Sequence, residues 1–253
     1  MAERTEIVML IAQISDIHAT PDNDNLSRFD QALTWLEQLR PDGVVLTGDL
    51  TDNHWLEGYK QLAERLQQQN YPSWVLPGNS DNRYLMRAVW GEKTWALDAP
   101  DGALHFVHNA GSLQLIGLDS TVAGQDYGSV AGHLEWLNAQ LSRADASPSL
   151  LFLHHPVIAS GIPTLDATRC RGLDKLEECI HNPPGRLLAI SAGHVHRPVA
   201  GLFAGIPAYI CSAVCPTNPL WFGTEYVPPI EKSPGLMIHR YVDHELSSHF
   251  VCV

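Results

Sequence analysis

Asp16 and His18, Asp49, Asn79, His154 and His155, and His194 and His196 share two properties: each can offer an electron pair to a cation, and each closely follows a short apolar run of the kind that forms a buried strand. Singly, such residues say little. Asp, Asn and Gly cap helices and make turns wherever a strand meets a helix, and a lone histidine is more often an ordinary surface or core residue. The set says more. Residues two apart on a strand point the same way, so Asp16 with His18, and His194 with His196, are expected to face one cavity. Seven oxygen and nitrogen donors, counting one imidazole of the adjacent pair 154–155, need positive charge to offset them if they converge on a point. Donors of these types, with no thiolate, suit Mn, Fe or Zn, and a shared carboxylate holds two ions about 3.5–4 Å apart. Such a pair would supply the positive charge that draws in a phosphate.

The elements that must position these residues follow from the pattern of apolar side chains. A strand over 8–15 leads to Asp16, and a helix over 26–40 carries Phe29, Leu33, Leu36 and Leu39 on one face before Pro41-Asp42-Gly43 stops it. A buried strand over 44–47 ends at Gly48-Asp49. A helix over 55–69 has Leu56, Tyr59, Leu62, Ala63 and Leu66 as its stripe, and the strand 73–76 ends at Pro77-Gly78-Asn79. This alternation is that of parallel β-α-β units, whose functional loops gather at the carboxyl ends of the strands. Runs at 104–107 and 113–118 flank Asn109-Ala110-Gly111 as an antiparallel hairpin. A helix is expected over 133–143, a strand over 150–153 delivering His154-His155-Pro156, a helix over 172–180 and a strand over 186–191 ahead of Gly193-His194-Val195-His196. Strand-like runs at 199–203, 206–211, 236–241 and 246–251 complete the chain. Residues 215–234 break the rhythm, with Pro216, Pro219, Pro228, Pro229 and Pro234 marking a lid or an oligomerisation segment.

Composition narrows the range of functions. The 253 residues fit a single domain, 1–253, with ample core. Against 28 Asp and Glu stand 16 Lys and Arg, a formal net charge of −12. That balance argues against coating a nucleic-acid polymer or an anionic membrane, because polyphosphate binding rests on clustered Lys and Arg. Metal ions, rather than lysines, would attract a phosphate. The apolar stretch 7–12 is too short for a signal-peptide core or a membrane span, and five cysteines with no CxxC pair fit reduced thiols, so a cytoplasmic location is expected. Apolar late strands and the aromatic residues Trp221, Phe222 and Tyr226 make a homo-oligomer, dimer or higher, the expected assembly; the same aromatic faces could instead stack on a nucleobase.

Asp16-Ile17-His18, Gly48-Asp49-Leu50-Thr51-Asp52, Gly78-Asn79-Ser80-Asp81, His154-His155-Pro156 and Gly193-His194-Val195-His196 occur in an order and spacing that resemble the calcineurin-like metallophosphoesterases, most of all the class III cyclic nucleotide phosphodiesterases and their glycerophosphodiesterase relatives. The resemblance spans about residues 8–213. It implies an α/β fold, a four-layer α/β/β/α sandwich of two mixed sheets flanked by helices. It also implies two divalent or mixed-valence ions, one held by Asp16, His18, Asp49 and His196, the other by Asp49, Asn79, His154 and His194, with Asp49 as the bridge. The implied reaction is attack of a dimetal-bound hydroxide on a small phosphodiester, first a 3′,5′-cyclic nucleotide and alternatively a glycerophosphodiester, with Asn79 helping to hold the oxyanion. A non-catalytic scaffold with the same fold is the reading from another class. Relatives commonly carry His after Gly-Asn, where this chain has Ser80. A serine hydroxyl donates a hydrogen bond but is no acid near neutral pH, so help for the leaving oxygen is expected from a metal, from water, or from another imidazole, His54 or His155. Asp81 is expected to cap the helix that follows it rather than to bind metal.

Overall fold

The computed structural model describes residues 8–143, 147–181, 187–224, 226–228 and 233–253. The expectations that touch residues 1–7, Arg186 and Pro229 fall outside that set. In chain order the elements are β1 (Met9–Ile14), α1 (Asn25–Leu39), β2 (Gly43–Thr47), α2 (Leu56–Gln67), β3 (Ser73–Leu76), α3 (Arg83–Trp90), β4 (Phe106–Ala110), β5 (Leu113–Gly117), α4 (Leu134–Leu141), β6 (Ser149–Phe152), α5 (Pro163–Asp166), α6 (Leu173–His181), β7 (Leu187–Ala192), β8 (Val199–Phe203), β9 (Ile206–Ile210), β10 (Gly235–Val242) and β11 (Glu245–Cys252).

Two mixed sheets result. One has the order β11-β10-β1-β2-β3, the other β4-β5-β6-β7-β9-β8. Within the first, β1, β2 and β3 run parallel and the late strands β10 and β11 add antiparallel to β1. In the second, β5, β6, β7 and β9 are parallel, with the β4–β5 hairpin and β8 antiparallel at the edges.

Apolar alternation along the second sheet shows how the layers stack. Leu115, Leu150 and Phe152 join the core that contains Ile11, Ile14, Val45, Phe29 of α1 and Leu62 of α2. Their strand neighbours Ile116, Leu151 and Leu153 point the other way, onto Trp136, Leu137 and Leu141 of α4 and Leu176 and Ile180 of α6. The order of layers is therefore α, β, β, α. Between the sheets, Gln13 of β1 donates to the Thr47 hydroxyl at 2.9 Å and to the Ala192 carbonyl at 3.1 Å, and a ring nitrogen of His239 lies 3.3 Å from its side-chain oxygen. All of these atoms are buried. A one-residue slip of either sheet would leave them without partners, at about 1–3 kcal/mol each.

α1 runs from Asn25 and stops at Arg40, whose left-handed φ of 54° precedes Pro41. α1, α2 and α3 follow β1, β2 and β3 in the chain. The segment 83–90 is capped by Asn82, whose side chain accepts from the Leu85 amide at 3.1 Å. Asp81 is not the cap. It sits half-buried one residue earlier, accepting from the Gly78 amide at 2.8 Å, the Leu50 amide at 3.1 Å and the Tyr59 hydroxyl at 2.9 Å, so it pins the loops after β2 and β3 to each other. Among the described residues of the 215–228 stretch there is no helix or strand; Trp221 packs on the α4/α6 core while Phe222 and Tyr226 are exposed.

Candidate dinuclear metal centre

The loops that leave β1, β2 and β3 on one sheet and β6 and β7 on the other meet at one point. The loop after β1 is zipped to the loop after β2 by backbone hydrogen bonds from Asp16 to Gly48, His18 to Asp49 and Ala19 to Leu50, 2.9–3.1 Å long. Across the sandwich, the Gly193 amide donates to the His154 carbonyl at 2.9 Å, and the His194 amide donates to both carboxylate oxygens of Asp16, at 2.9 and 3.0 Å.

The side chains converge, but not by strand alternation. Asp16, His18, Asp49, His194 and His196 all have left-handed backbones, with φ between 50° and 72°. Each pair separated by one residue faces the same cavity because the chain coils through the loop, not because it continues the strand. Such conformations cost roughly 1–3 kcal/mol each and collect at functional sites.

Asp49 sits at the middle. Its Oδ1 accepts from the Ser80 amide at 2.8 Å, and its Oδ2 lies 3.2 Å from His18 Nε2 and 3.3 Å from His154 Nε2. On one side His18 Nε2 is 3.1 Å from His196 Nε2, which is 3.5 Å from Asp16 Oδ1. On the other, His154 Nε2 is 3.2 Å from Asn79 Oδ1 and 3.3 Å from His194 Nδ1.

The outer ring nitrogens decide what the inner ones can do. His154 Nδ1 lies 2.7 Å from the Thr47 carbonyl and His18 Nδ1 2.7 Å from the Asp52 carboxylate, both acceptors, so each Nδ1 carries the hydrogen. His194 Nε2 has the Thr168 hydroxyl at 2.8 Å, and His196 Nδ1 has Cys215 Sγ at 3.2 Å. In their neutral forms His18 and His154 therefore aim bare lone pairs into a space that already holds two carboxylates and a carboxamide oxygen. Bound cations would satisfy these atoms, and outer partners of this kind are what orient imidazole ligands. The seven side chains could hold two ions, with Asp49 shared.

Electrostatics agree. Burial opposes charge on His18, but the carboxylates of Asp49, Asp52 and Asp16 outweigh it and raise its pKa to about 11; His154, also buried, is raised to about 9 by Asp49 and Asp16. Burial likewise works against charge on Asp49, yet His154 and His18 hold its carboxyl well below the usual range. Burial and the His154 charge push His194 down to about 4. Without ions, protons occupy His18 and His154; ions must displace them. Metal uptake at pH 7 is accordingly expected to release protons and to tighten as pH rises from 6 to 9, which calorimetry in two buffers of different ionisation enthalpy measures.

The model of the calcineurin-like phosphoesterase family matches residues 9–198, which include all seven side chains. This chain belongs to the calcineurin-like phosphoesterases. It is 28% identical over 256 aligned positions, covering 95% of this chain and 92% of the other, to a probable glycerophosphodiester phosphodiesterase of Arcobacter nitrofigilis. It is 32% identical, over 96% of this chain and 79% of the other, to a cAMP/cGMP dual specificity phosphodiesterase of Mycobacterium tuberculosis. Among solved structures, a dimetal phosphatase from Danio rerio has the same fold with a TM-score of 0.68, at 12% identity over 96% of this chain and 98% of that one.

In this phosphoesterase, the other residues expected at the reaction lie differently. The Ser80 hydroxyl donates to the Thr51 carbonyl at 3.0 Å, and its amide supports Asp49. His155 is fully buried: its Nε2 donates to the Asp126 carbonyl at 3.2 Å, so its Nδ1 accepts from the Ser120 hydroxyl at 2.9 Å. Burial and the neighbouring His154 and His194 keep it neutral. Its ring backs the cage instead of opening onto the surface. Asn53 and His54 do open onto it, lining with Asp52, Asn79, Ser80 and Asp126 a cavity of about 610 Å³. A smaller cavity of about 260 Å³ on the other side of Asn79 is walled by Asn82, Arg83, Tyr84 and the 121–124 loop.

Thr168 and Cys215 are the functional neighbours that sequence reading missed; neither lies in a recognisable motif. Asp52 lies at the end of the motif Gly48-Asp49-Leu50-Thr51-Asp52, and its contact with His18 Nδ1 holds that imidazole in place. Asp52→Asn is expected to leave the fold intact and weaken metal affinity by about 10–100-fold through His18, as read by titration of the metal-free protein with Mn.

Proposed function

We propose that the chain hydrolyses small phosphodiesters at a pair of Mn, Fe or Zn ions, one held by Asp16, His18, Asp49 and His196 and the other by Asp49, Asn79, His154 and His194. The observation that supports this reading is the convergence of inward imidazole nitrogens from both sheets on either side of Asp49 Oδ2, a donor set suited to metal ions. The ions, when bound, supply Lewis acidity and a water of lowered pKa. The chain's own residues do the rest. Asn79, at the junction of both cavities, orients the phosphoryl group through its carboxamide. Ser80 fixes Asp49 through its amide, and His155, locked by Ser120 and Asp126, backs His154 and His194.

A 3′,5′-cyclic nucleotide is the first candidate substrate, and the similarity to the mycobacterial dual specificity phosphodiesterase supports it. A glycerophosphodiester is the alternative, supported by the Arcobacter relative. A nucleic-acid polymer is disfavoured by the net charge of −12 and by Asp52 and Asp126 at the mouth. No helix among the described residues is long and apolar enough to cross a membrane. The five cysteines are free, in keeping with a cytoplasmic location. Exposed Phe222 and Tyr226 support a role for the 215–234 segment as a lid or as a contact between copies in a homo-oligomer.

One experiment tests the reading: metal analysis of the purified chain together with turnover of bis(p-nitrophenyl) phosphate, cyclic AMP, cyclic GMP, glycerophosphocholine and a phosphomonoester under added Mn. Two ions per chain and cleavage of diesters in preference to the monoester are expected. A chain that takes up no ions and cleaves nothing is a scaffold instead.

A further inference from the structure

Cleaving an alkyl phosphodiester expels an alkoxide, a poor leaving group unless a proton reaches its oxygen as the bond to phosphorus breaks. The imidazoles of the cage cannot bring one, since each points one nitrogen at the ions' place and the other at an outer partner: Asp52, Thr47, Thr168 or Cys215. His155 has both nitrogens engaged and is buried. The Ser80 hydroxyl is turned to the Thr51 carbonyl. His54 differs from all of them. It is exposed, lines the cavity of about 610 Å³ beside Asn79 and Ser80, and its ring has no hydrogen-bond partner among the described residues. The other ionisable groups around that cavity are Asp52 and Asp126, both carboxylates.

The backbone adds an independent observation. Asn53 and His54 are consecutive left-handed residues, each with φ near 53°. An imidazole at a position that favours glycine is strained, and strain of this sort persists at functional sites.

Resting on the phosphodiesterase reading above, we propose that His54 is the catalytic residue that protonates the leaving oxygen. Water oxygen forms a new bond to phosphorus while the bond from phosphorus to the leaving oxygen breaks. That bond's electron pair stays on the leaving oxygen, which takes the proton from the His54 ring. The water's proton goes to solvent, and the neutral imidazole recovers one from it. A glycerophosphodiester yields a phosphomonoester and an alcohol, and a 3′,5′-cyclic nucleotide yields a single ring-opened molecule that carries both.

Leaving groups separate this role from any other. An aryl oxide such as p-nitrophenolate leaves without a proton, so His54→Ala and His54→Gln are expected to slow bis(p-nitrophenyl) phosphate by less than about 3-fold. Turnover of the alkyl diesters cyclic AMP or glycerophosphocholine is expected to fall about 100-fold or more, in kcat and not KM, with glutamine no better than alanine because it carries no transferable proton. His54→Gly is expected to lose the same alkyl activity while raising Tm by about 2–4 °C, since the turn is relieved; metal content stays at the wild-type level. Equal losses on both leaving-group classes, no loss on alkyl diesters, rescue by glutamine, or a fall in Tm on His54→Gly each overturns the assignment. So does a wild-type enzyme that cleaves the aryl diester alone. A wild-type chain that cleaves no diester with Mn present overturns instead the reading on which this one rests.

Discussion

Asp49→Asn is expected to reduce turnover of bis(p-nitrophenyl) phosphate by about 10³-fold or more at saturating Mn, roughly 4 kcal/mol of transition-state stabilisation, and to lower metal content from two ions per chain to one or fewer. The reason is that one oxygen, Oδ2, lies within 3.3 Å of a nitrogen from each half of the cage, while Oδ1 is already committed to the Ser80 amide. An amide in its place has no negative charge to share, and one of its two ends bears hydrogens. Metal analysis and steady-state kinetics on the same preparation check both parts. The metal-free variant also has a pH signature. Asp49 raises the pKa of His18 to about 11 and that of His154 to about 9, so the stabilisation it lends them is complete below the ordinary imidazole value of 6.5 and fades as pH climbs through 9 and then 11. Its own depressed pKa means that this contribution also disappears in strong acid, below the usual carboxylate range near 3.8. The Tm deficit of metal-free Asp49→Asn is thus expected to be widest at about pH 5–6 and to narrow toward pH 10.

Gly78→Ala is expected to be nearly as damaging, although Gly78 offers no side chain to an ion. A methyl group there would stand 2.2 Å from Asp49 Oδ1 and 2.4 Å from the Asp49 amide, inside any tolerable contact, so the Asp49 carboxylate must move. Gly193→Ala does the same from the opposite sheet, at 1.9 Å from Ser15 Oγ and 2.8 Å from Asp16 Oδ2. Overpacking of this kind costs about 1–3 kcal/mol in stability, and a displacement of about 1 Å at a reacting centre costs on the order of 100-fold in rate. Circular dichroism melts with metal titration distinguish the two effects: both variants are expected to remain folded at 25 °C, with Tm lowered and Mn bound more weakly. A variant with wild-type affinity for Mn would mean that the loops yield more easily than their glycine contacts indicate.

What could be read in advance was set by local rules. Apolar runs ending in Asp16, Asp49, Asn79 and His154 are strands because their Val, Ile and Leu content demands burial on both faces, and the polar residue after each run is where the strand leaves the core. Five motifs in order were enough to expect the two-sheet sandwich. The way Asp16 and His18 come to share a direction was not legible, because alternation describes an extended chain and these residues are left-handed. Asp81 illustrates a second limit. As the acidic residue just before a helix it has the sequence of a cap, but its place beside Tyr59 and the Gly78 amide makes it a strut between loops, and Asn82 takes the cap. Thr168 and Cys215 come from loops whose paths depend on the whole packing, and no spacing rule relates them to His194 and His196.

Asp16, His18, Asp49 and Asn79 follow strands of one sheet, whereas His154, His194 and His196 follow strands of the other. Neither sheet alone presents more than part of either coordination sphere. Capture of a cation pair at this site would therefore be completed only after the two halves have docked, since the first three strands bring Asp16, His18, Asp49 and Asn79 but none of the imidazoles of the second sheet. With ions bound there, the same arrangement would act as a clasp: chelation would remove a tie between two hydrophobic slabs, and the seam between them, rather than the outer helices, is where the stripped protein should first admit solvent.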